Sequence, residues 1–365
     1  MTVRSPSSAD SLASLSRTGR RETFHAGHGC LYIALATATI AAAPAYGDAA
    51  PDQMALFAAM ALLLLGVPHG GFDVALARRR RRPNAQFVPI HFLFKYIGLA
   101  GAVLGLWLLL PELALPLFLA MSAWHFGGDW RRDLEPLPRS VVGAALICFP
   151  ALWHRQDVIE IFAWLAPIGV ARQVAELMAI CAVPLAQAAA VVVVLTACRN
   201  LLAAGEMLAT LLLSALVGPL TFFVIYFCGL HSVRHMSHAY DELQPVSLAE
   251  FLRTAVPYAV PAILATLAGG WLLVDLEAGP ALLGAVFLAL AALSVPHMAL
   301  VDWFEPKDLH VDRLIQGRQP SALKIAAAPP DTRPVSPRSY GPRCGRPARA
   351  ASCRAAGRSR CAHTC

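Results

Sequence analysis

Histidines carry the clearest chemical signal in this sequence. His231 and His235 lie four positions apart in the stretch "LHSVRHM", so on a helix their side chains stand one turn apart on the same face. Two imidazoles held in this way can chelate one metal ion. His238 lies on the same stripe and is a candidate ligand or a partner of the ligands. The alternative is a pair of interfacial histidines that end a helix beside Arg234.

Two more histidines occur in matching local patterns. His69 in "VPHGGFD" and His125 in "WHFGGDW" are each followed four residues later by an acid, Asp73 and Asp129 respectively. Because a metal-bound imidazole usually donates its other N–H to a carboxylate or carbonyl, we expect each acid to orient the histidine of its own motif. The alternative is that both acids are helix-end charges facing nearby arginines. The adjacent glycines are expected to let helices approach closely: Gly70, Gly71, Gly127 and Gly128.

A fifth histidine, His297, repeats a short motif. It lies in "SVPHM", so the tripeptide VPH occurs at Val295–His297 as well as at Val67–His69. Proline interrupts the hydrogen bonding of a helix and is expected to loosen the backbone just before each imidazole. His297 is therefore a candidate fifth ligand, or a residue that hydrogen-bonds and shapes the cavity around the ligands.

The donor set narrows the chemistry but leaves the metal open. Imidazole suits iron, zinc and copper alike, and two histidines could instead hold a b-type haem. The sequence has no HExxH, no CxxCH, no cysteine pattern for an iron–sulfur cluster and no glycine-rich nucleotide motif. A site of three or four histidines with open coordination positions favours ferrous iron and dioxygen.

Long apolar runs separate these motifs. Hydrophobic residues make up 57% of the 365 positions and charged residues only 15%, whereas a soluble domain carries about 25% charged residues. Runs of about 20 mostly apolar residues can span a bilayer. The sequence therefore predicts an all-α, polytopic transmembrane bundle of about eight to ten helices. The candidate spans are Leu31–Tyr46, Gln53–Ala77, Pro89–Leu110, Leu113–Gly127, Ser140–Trp153, Val174–Ala197, Leu201–Val217, Leu220–His238, Phe251–Val274 and Pro280–Leu300.

Arginine placement sets the predicted orientation. Arg78–Arg82, Arg131–Arg132 and Arg199 lie in short loops, and positively charged loops stay cytoplasmic. Both termini are then predicted to be cytoplasmic, and the five histidines share one layer near that face. The net charge of +7 comes from loop and tail arginines. No basic face interleaved with aromatic residues occurs outside the tail, so nucleic acid is not a predicted partner.

The two ends of the chain differ from the middle. Residues 1–29 are rich in serine and arginine, and residues 306–365 are rich in proline, arginine and alanine. Such compositions cannot bury a core, so both ends are predicted to be disordered. Residues 30–305 form the predicted transmembrane catalytic domain.

Taken together, four motifs resemble a known family. "GVPHGGFD", "WHFGGDW", "LHSVRHM" and "VPHM" are similar in order and rough spacing to the Brp/Blh family of β-carotene 15,15′-dioxygenases. These integral membrane enzymes cleave β-carotene at its central double bond to give two molecules of retinal. The resemblance covers roughly residues 55–305 and implies iron ligands at His69, His125, His231 and His235.

The resemblance also implies the rest of the chemistry. Ferrous iron (Fe2+) would be the cofactor, and β-carotene and dioxygen the substrates. No side chain beyond the metal centre would be catalytic. The protein would lie in the lipid bilayer of the inner (cytoplasmic) membrane, with a functional link to a retinal-binding rhodopsin.

A forty-carbon polyene would need a long apolar tunnel. The aromatic stretch Phe222–Phe227 could line it together with Trp124, Phe126 and Trp130; the alternative is that these side chains face lipid. A non-enzymatic protein is the other interpretation, either a membrane carrier of metal or haem or an assembly factor for a retinal protein. A transporter is expected to place its site near the midplane, so a histidine layer near one face favours the oxygenase.

Overall fold

Helices make up most of the described part of the chain. The computed structural model describes residues 8–46, 51–81, 90–272 and 278–299, and every regular element in these ranges is helical. The all-α prediction is therefore confirmed. In chain order the α-helices are α1 Ser8–Tyr46, α2 Pro51–Ala61, α3 Asp73–Arg81, α4 Ile90–Leu109, α5 Pro111–Gly127, α6 Pro136–Cys148, α7 Pro150–Trp153, α8 Arg155–Ala163, α9 Ile168–Ala197, α10 Leu201–Leu216, α11 Pro219–Tyr226, α12 Ser232–Leu243, α13 Leu248–Leu272 and α14 Ala278–Met298.

Seven helical stretches in these ranges are long and apolar enough to cross a membrane, so the protein is a multi-pass membrane protein. The count of eight to ten from the sequence also includes α5 and α10, which have only 17 and 16 residues, and the interrupted helix from α11 to α12. The seven stretches are Thr23–Ala45, Met54–Arg79, Ile90–Leu109, Pro136–Trp153, Ile168–Ala197, Leu248–Leu272 and Gly279–Met298.

The N-terminal segment differs from its expected form. Helix α1 begins at Ser8, so most of residues 1–29, which the composition predicts to be disordered, continue the first apolar helix. Once an apolar segment is helical, each residue added at its end gains a hydrogen bond without a new nucleus. The tail at 306–365 lies outside the described residues.

Two helices change their hydrogen-bonding pattern beside histidines. Helix α2 passes into a π-helical segment, Leu62–Gly66, and then a 3-10 segment, Val67–Phe72, which contains His69. Pro68 lacks the N–H that a continuous α-helix would use. Helix α11 likewise passes into a π-helical segment, Phe227–His231. Such π segments occur frequently at functional sites.

The second VPH motif does not share this distortion. Helix α14 continues through Pro296 to Met298, so the expectation that proline loosens the backbone is confirmed at Pro68 and wrong at Pro296. The difference places His69 on a 3-10 turn and His297 on a regular α-helix.

Two of the four glycines predicted to allow close helix approach do so. A Cβ on Gly127 would overlap the backbone carbonyl oxygen of Arg139 in α6, and a Cβ on Gly71 would lie 3.0 Å from the carbonyl oxygen of Ala255 in α13. The neighbouring glycine of each pair has room for a Cβ, so the prediction is wrong there. The two tight contacts hold the His69 and His125 motifs against adjacent helices.

Candidate metal centre

Five histidines from distant parts of the chain converge inside the bundle. They are His69 on the 3-10 segment, His125 near the end of α5, His231 at the end of the second π segment, His235 on α12 and His297 on α14. Ring centroids of neighbouring imidazoles lie 4.4 to 5.9 Å apart. The four histidines that the motifs single out therefore meet, and the fifth joins them.

The spacing fits a metal ion. A metal–nitrogen bond of about 2.1 Å puts a ring centre roughly 3.2 Å from the ion, so two ligand rings should lie about 4.5 Å apart at right angles and about 6.5 Å apart when opposite. The observed range of 4.4 to 5.9 Å agrees with this. Ligand atoms of His125, His231 and His235 all lie within 4.8 Å of one another. An all-imidazole donor set suits iron, zinc or copper.

His231 and His235 lie close together, as their spacing of four residues predicts. Their ring centroids are 4.4 Å apart, although the backbone changes from π-helical to α-helical directly after His231. His231 is fully buried, and its Nε2 has no hydrogen-bonding partner among the described residues. A buried polar atom without a partner is costly, and a metal ion at this position would satisfy it.

Asp129 orients His231. The Nδ1 N–H of His231 points at both carboxylate oxygens, at 3.1 and 3.2 Å, and the Tyr226 hydroxyl donates to the same carboxylate at 2.7 Å. Arg234 donates to the Asp129 backbone carbonyl at 2.9 Å. Burial acts to raise the pKa of Asp129, but His231 and Arg234 outweigh it and lower the pKa to about 2. Tyr226, Asp129 and His231 are called the Asp129 relay below.

Asp73 orients His297 in the same way. The Nδ1 N–H of His297 lies 2.8 and 2.9 Å from the two carboxylate oxygens, and the Tyr96 hydroxyl donates to Asp73 at 2.7 Å. Asp73 and His297 are buried, at 1% and 4% exposed. Tyr96, Asp73 and His297 are called the Asp73 relay.

The acids therefore serve different histidines from those expected. The spacing of four predicts that Asp73 orients His69, but the Nδ1 N–H of His69 donates to the Gly66 carbonyl instead. The physical reason is the 3-10 segment. With three residues per turn rather than 3.6, side chains four apart point in different directions. Asp73 is thereby free to face His297.

The same correction applies at the second motif. Asp129 was expected to orient His125, but it faces His231. Helix α5 ends at Gly127 and a 3-10 turn covers residues 128–130, which again breaks the spacing of four. His125 remains in the cluster, with its ring centroid 4.9 Å from that of His231.

His238 lies outside the imidazole cluster. Its side chain is 45% exposed, and its Nδ1 lies 3.8 Å from the Glu242 carboxylate. It lines a nearby cavity together with His235, and it is exposed whereas the clustered histidines are buried or partly buried. The stripe from His231 to His238 thus supplies two cluster residues rather than three.

Sequence reasoning missed a buried ion pair behind the cluster. Glu206 on α10 is 3% exposed and forms a salt bridge with Arg234. A Cβ at Gly29 of α1 would overlap a Glu206 carboxylate oxygen, so the glycine lets the Glu206 side chain approach α1 closely. A lone acid within the apolar run "LLAAGEMLATLLL" was the available signal, since buried membrane acids are usually paired.

The cluster borders a cavity and a wall of aromatic rings. The cavity, of about 220 Å³, is lined by His69, His235 and His297 and, among other residues, by the charged side chains of Arg131, Arg132 and Glu206. On the wall side, the ring of Phe126 lies 5.0 Å from His231 and that of Phe227 lies 5.3 Å from His69.

The residues predicted to line a tunnel are mostly buried in this wall. Phe222, Tyr226, Phe126 and Trp130 belong to the largest core cluster and are at most 7% exposed. Trp124 is 45% exposed, with the Arg139 guanidinium 5.0 Å from its ring centre. The wall thus presents packed apolar rings to the imidazoles.

Comparison with known proteins identifies the family of the chain. The family described as beta-carotene 15,15′-dioxygenase matches residues 60–305, a range that contains all five clustered histidines. The Beta-carotene 15,15′-dioxygenase of uncultured marine bacterium 66A03 is 28% identical over 266 residues, covering 68% of this chain and 94% of that protein. No solved structure matches the chain. The chain belongs to the β-carotene 15,15′-dioxygenase family.

Proposed function

We propose that this protein cleaves β-carotene at its central 15,15′ double bond, giving two molecules of retinal. The observation that supports this best is the imidazole cluster, which lies among apolar helices with aromatic rings against one side. A hydrocarbon substrate dissolved in lipid can approach such a site without leaving an apolar environment. Family membership supplies the substrate class.

We propose ferrous iron as the metal, held by His69, His125, His231 and His235. Neutral imidazoles suit iron, and a set with open coordination positions leaves room for dioxygen. When bound, the iron would supply the redox chemistry that oxidative cleavage of a C=C bond requires. The protein's own residues would hold the metal and position the substrate.

The chain's own residues fix the ligands and the substrate. The Gly66 carbonyl and the Asp129 carboxylate each accept an Nδ1 N–H, which sets the tautomer and leaves Nε2 as the donor atom. Phe126 and Phe227 pack on the imidazoles, exclude water, and offer an apolar surface for the polyene. The protein's main task is then to place one double bond of a long symmetric molecule beside the metal.

The cellular setting is a further part of the proposal. We place the protein in the inner membrane, with both termini and the arginine-rich loops on the cytoplasmic side, and we assign catalysis to residues 30–305. The tail at 306–365 would be dispensable. A retinal-binding rhodopsin is the proposed consumer of the product.

Pigment analysis tests the function. The chain is expressed in a bacterium that accumulates β-carotene, and the pigments are extracted. We expect the orange colour to fade while retinal, or retinol after reduction by the host, appears. His69→Ala and His125→Ala should insert normally and leave the pigment intact. His91→Ala, which alters an exposed histidine of α4, is the matched control and should bleach like the wild type.

Three outcomes would contradict the proposal. Retained β-carotene with well-expressed wild-type protein, iron and oxygen would remove β-carotene as the substrate. A protein that binds metal but never consumes pigment would instead be a carrier or an assembly factor. Unchanged bleaching in both histidine variants would show that the cluster is not the site of cleavage.

A further inference from the structure

The ring of His297 lies as close to its neighbours in the imidazole cluster as the rings of the four proposed ligands lie to one another. Its ring centroid is 5.1 Å from that of His69, 5.5 Å from that of His125 and 5.2 Å from that of His235. These separations fall within the range expected for rings that share one ion. A residue that only shaped the cavity would not need to be so nearly equidistant from three candidate ligands.

The hydrogen bonding of His297 repeats that of His231. In each case a buried carboxylate takes the Nδ1 N–H and also accepts a tyrosine hydroxyl at 2.7 Å. An imidazole that donates from Nδ1 carries its lone pair on Nε2. The Asp73 relay therefore prepares His297 as a neutral donor, as the Asp129 relay prepares His231.

The Asp73 relay draws on three elements that are remote in the sequence. Asp73 begins α3, Tyr96 lies on α4 and His297 lies on α14, 224 positions after Asp73. Burying an acid and an imidazole together is costly unless the pair is well satisfied. A metal ion on the other nitrogen of His297 would draw charge from the ring and strengthen its bond to Asp73.

We propose that His297 supplies a fifth imidazole to the metal centre, and that Asp73 and Tyr96 are its positioning residues. The proposal rests on the proposed metal centre and adds a ligand to the four that the sequence motifs imply. A centre with five imidazoles has fewer open positions for exogenous ligands than one with four. The fifth ligand would also tie α14 directly to the site.

Cobalt(II) binding tests this proposal without using enzymatic activity. The full-length protein is purified in detergent, freed of metal and titrated with Co2+, whose visible absorption depends on the number of ligands. The informative variant is His297→Gln, because the amide N–H can still donate to Asp73 while the ring nitrogen is lost. We expect a changed cobalt spectrum and Co2+ binding weakened by about tenfold or more.

Four measurements separate the outcomes. His91→Ala is the matched control and should give the wild-type spectrum. A wild-type protein that binds no Co2+ would overturn the metal centre itself, and the fifth ligand with it. A His297→Gln protein with the wild-type cobalt spectrum and affinity would overturn only the fifth ligand. If His297→Ala then weakened binding while His297→Gln did not, His297 would have a packing role, which also contradicts the proposal.

Discussion

The Asp129 relay and the Asp73 relay use the same three chemical groups but differ in how firmly they are held. Tyr226 and His231 are buried, Tyr226 within the largest core cluster, and the Asp129 side chain between them is 2% exposed. In the other relay, Asp73 and His297 are buried but Tyr96 is partly exposed. One hydrogen-bonding pattern is thus built once in the core and once near the edge of the bundle.

The difference extends to the groups behind each carboxylate. Arg234 donates to the backbone of Asp129 and forms a buried salt bridge with Glu206, so α10 and α12 together brace the Asp129 relay. The Asp73 relay ends at Tyr96 on α4, where only 11% of the apolar stretch is buried inside the protein. We therefore expect the Asp129 relay to fix its imidazole firmly and the Asp73 relay to allow more movement.

Removing the imidazole at the end of each relay should have the largest effect. We expect His231→Ala to lose most of the bound iron, because it deletes a fully buried donor, and His297→Ala to lose a smaller share. Elemental analysis of protein purified in detergent gives the iron per chain. Equal retention of iron by both variants and by His91→Ala would show that neither relay serves a metal.

Neutralising the two relay carboxylates should have the next largest effect on iron binding. Loss of a residue that hydrogen-bonds to a metal ligand usually weakens metal affinity 10- to 100-fold. We expect Asp129→Asn to weaken iron binding about 100-fold and Asp73→Asn to weaken it about tenfold. Competition with a chelator of known affinity measures both values. If Asp73→Asn weakened iron binding more than Asp129→Asn, the inference that the Asp129 relay holds its imidazole more firmly would be wrong.

Breaking the brace behind Asp129 should act mainly on stability. Removing one member of a buried ion pair costs about 3–5 kcal/mol, so Glu206→Ala should unfold at a markedly lower temperature. Arg234→Lys keeps the charge but cannot reproduce the fork that serves two acceptors, and we expect it to loosen the iron site by several-fold. Thermal unfolding in detergent and chelator competition are the measurements. If both variants kept the wild-type unfolding temperature and iron affinity, Glu206 and Arg234 would not support the Asp129 relay.

The smallest effects should come from the tyrosines. Each hydroxyl donates one hydrogen bond to a carboxylate, a bond worth about 1.5–3 kcal/mol to the charged group, and only part of this reaches the metal because an imidazole lies between them. We expect Tyr226→Phe to weaken iron binding by roughly fivefold and Tyr96→Phe by less, since Tyr96 is already near the edge of the bundle. Chelator competition again provides the measurement. A larger loss in Tyr96→Phe would mean that α4 is held more firmly than its exposure indicates.

The amino-acid sequence by itself predicted the class of the protein and the four motif histidines. Apolar runs of membrane-spanning length depend only on local composition, and the structure confirms them as helices. The spacing of His231 and His235 is likewise a local property, and it survives a change from π-helical to α-helical backbone. A resemblance in four short motifs was enough to identify the family that the comparisons confirm.

Only the tertiary structure decided which groups meet. Asp73 pairs with His297, 224 positions away, and Asp129 with His231, 102 positions away, whereas the local pattern predicted pairing within each motif. The 3-10 turns after Gly66 and Gly127 rotate each acid away from its neighbouring histidine by an amount that a spacing of four cannot reveal. The contacts that replace the local ones depend on how remote helices pack, and no single stretch of the sequence specifies that packing.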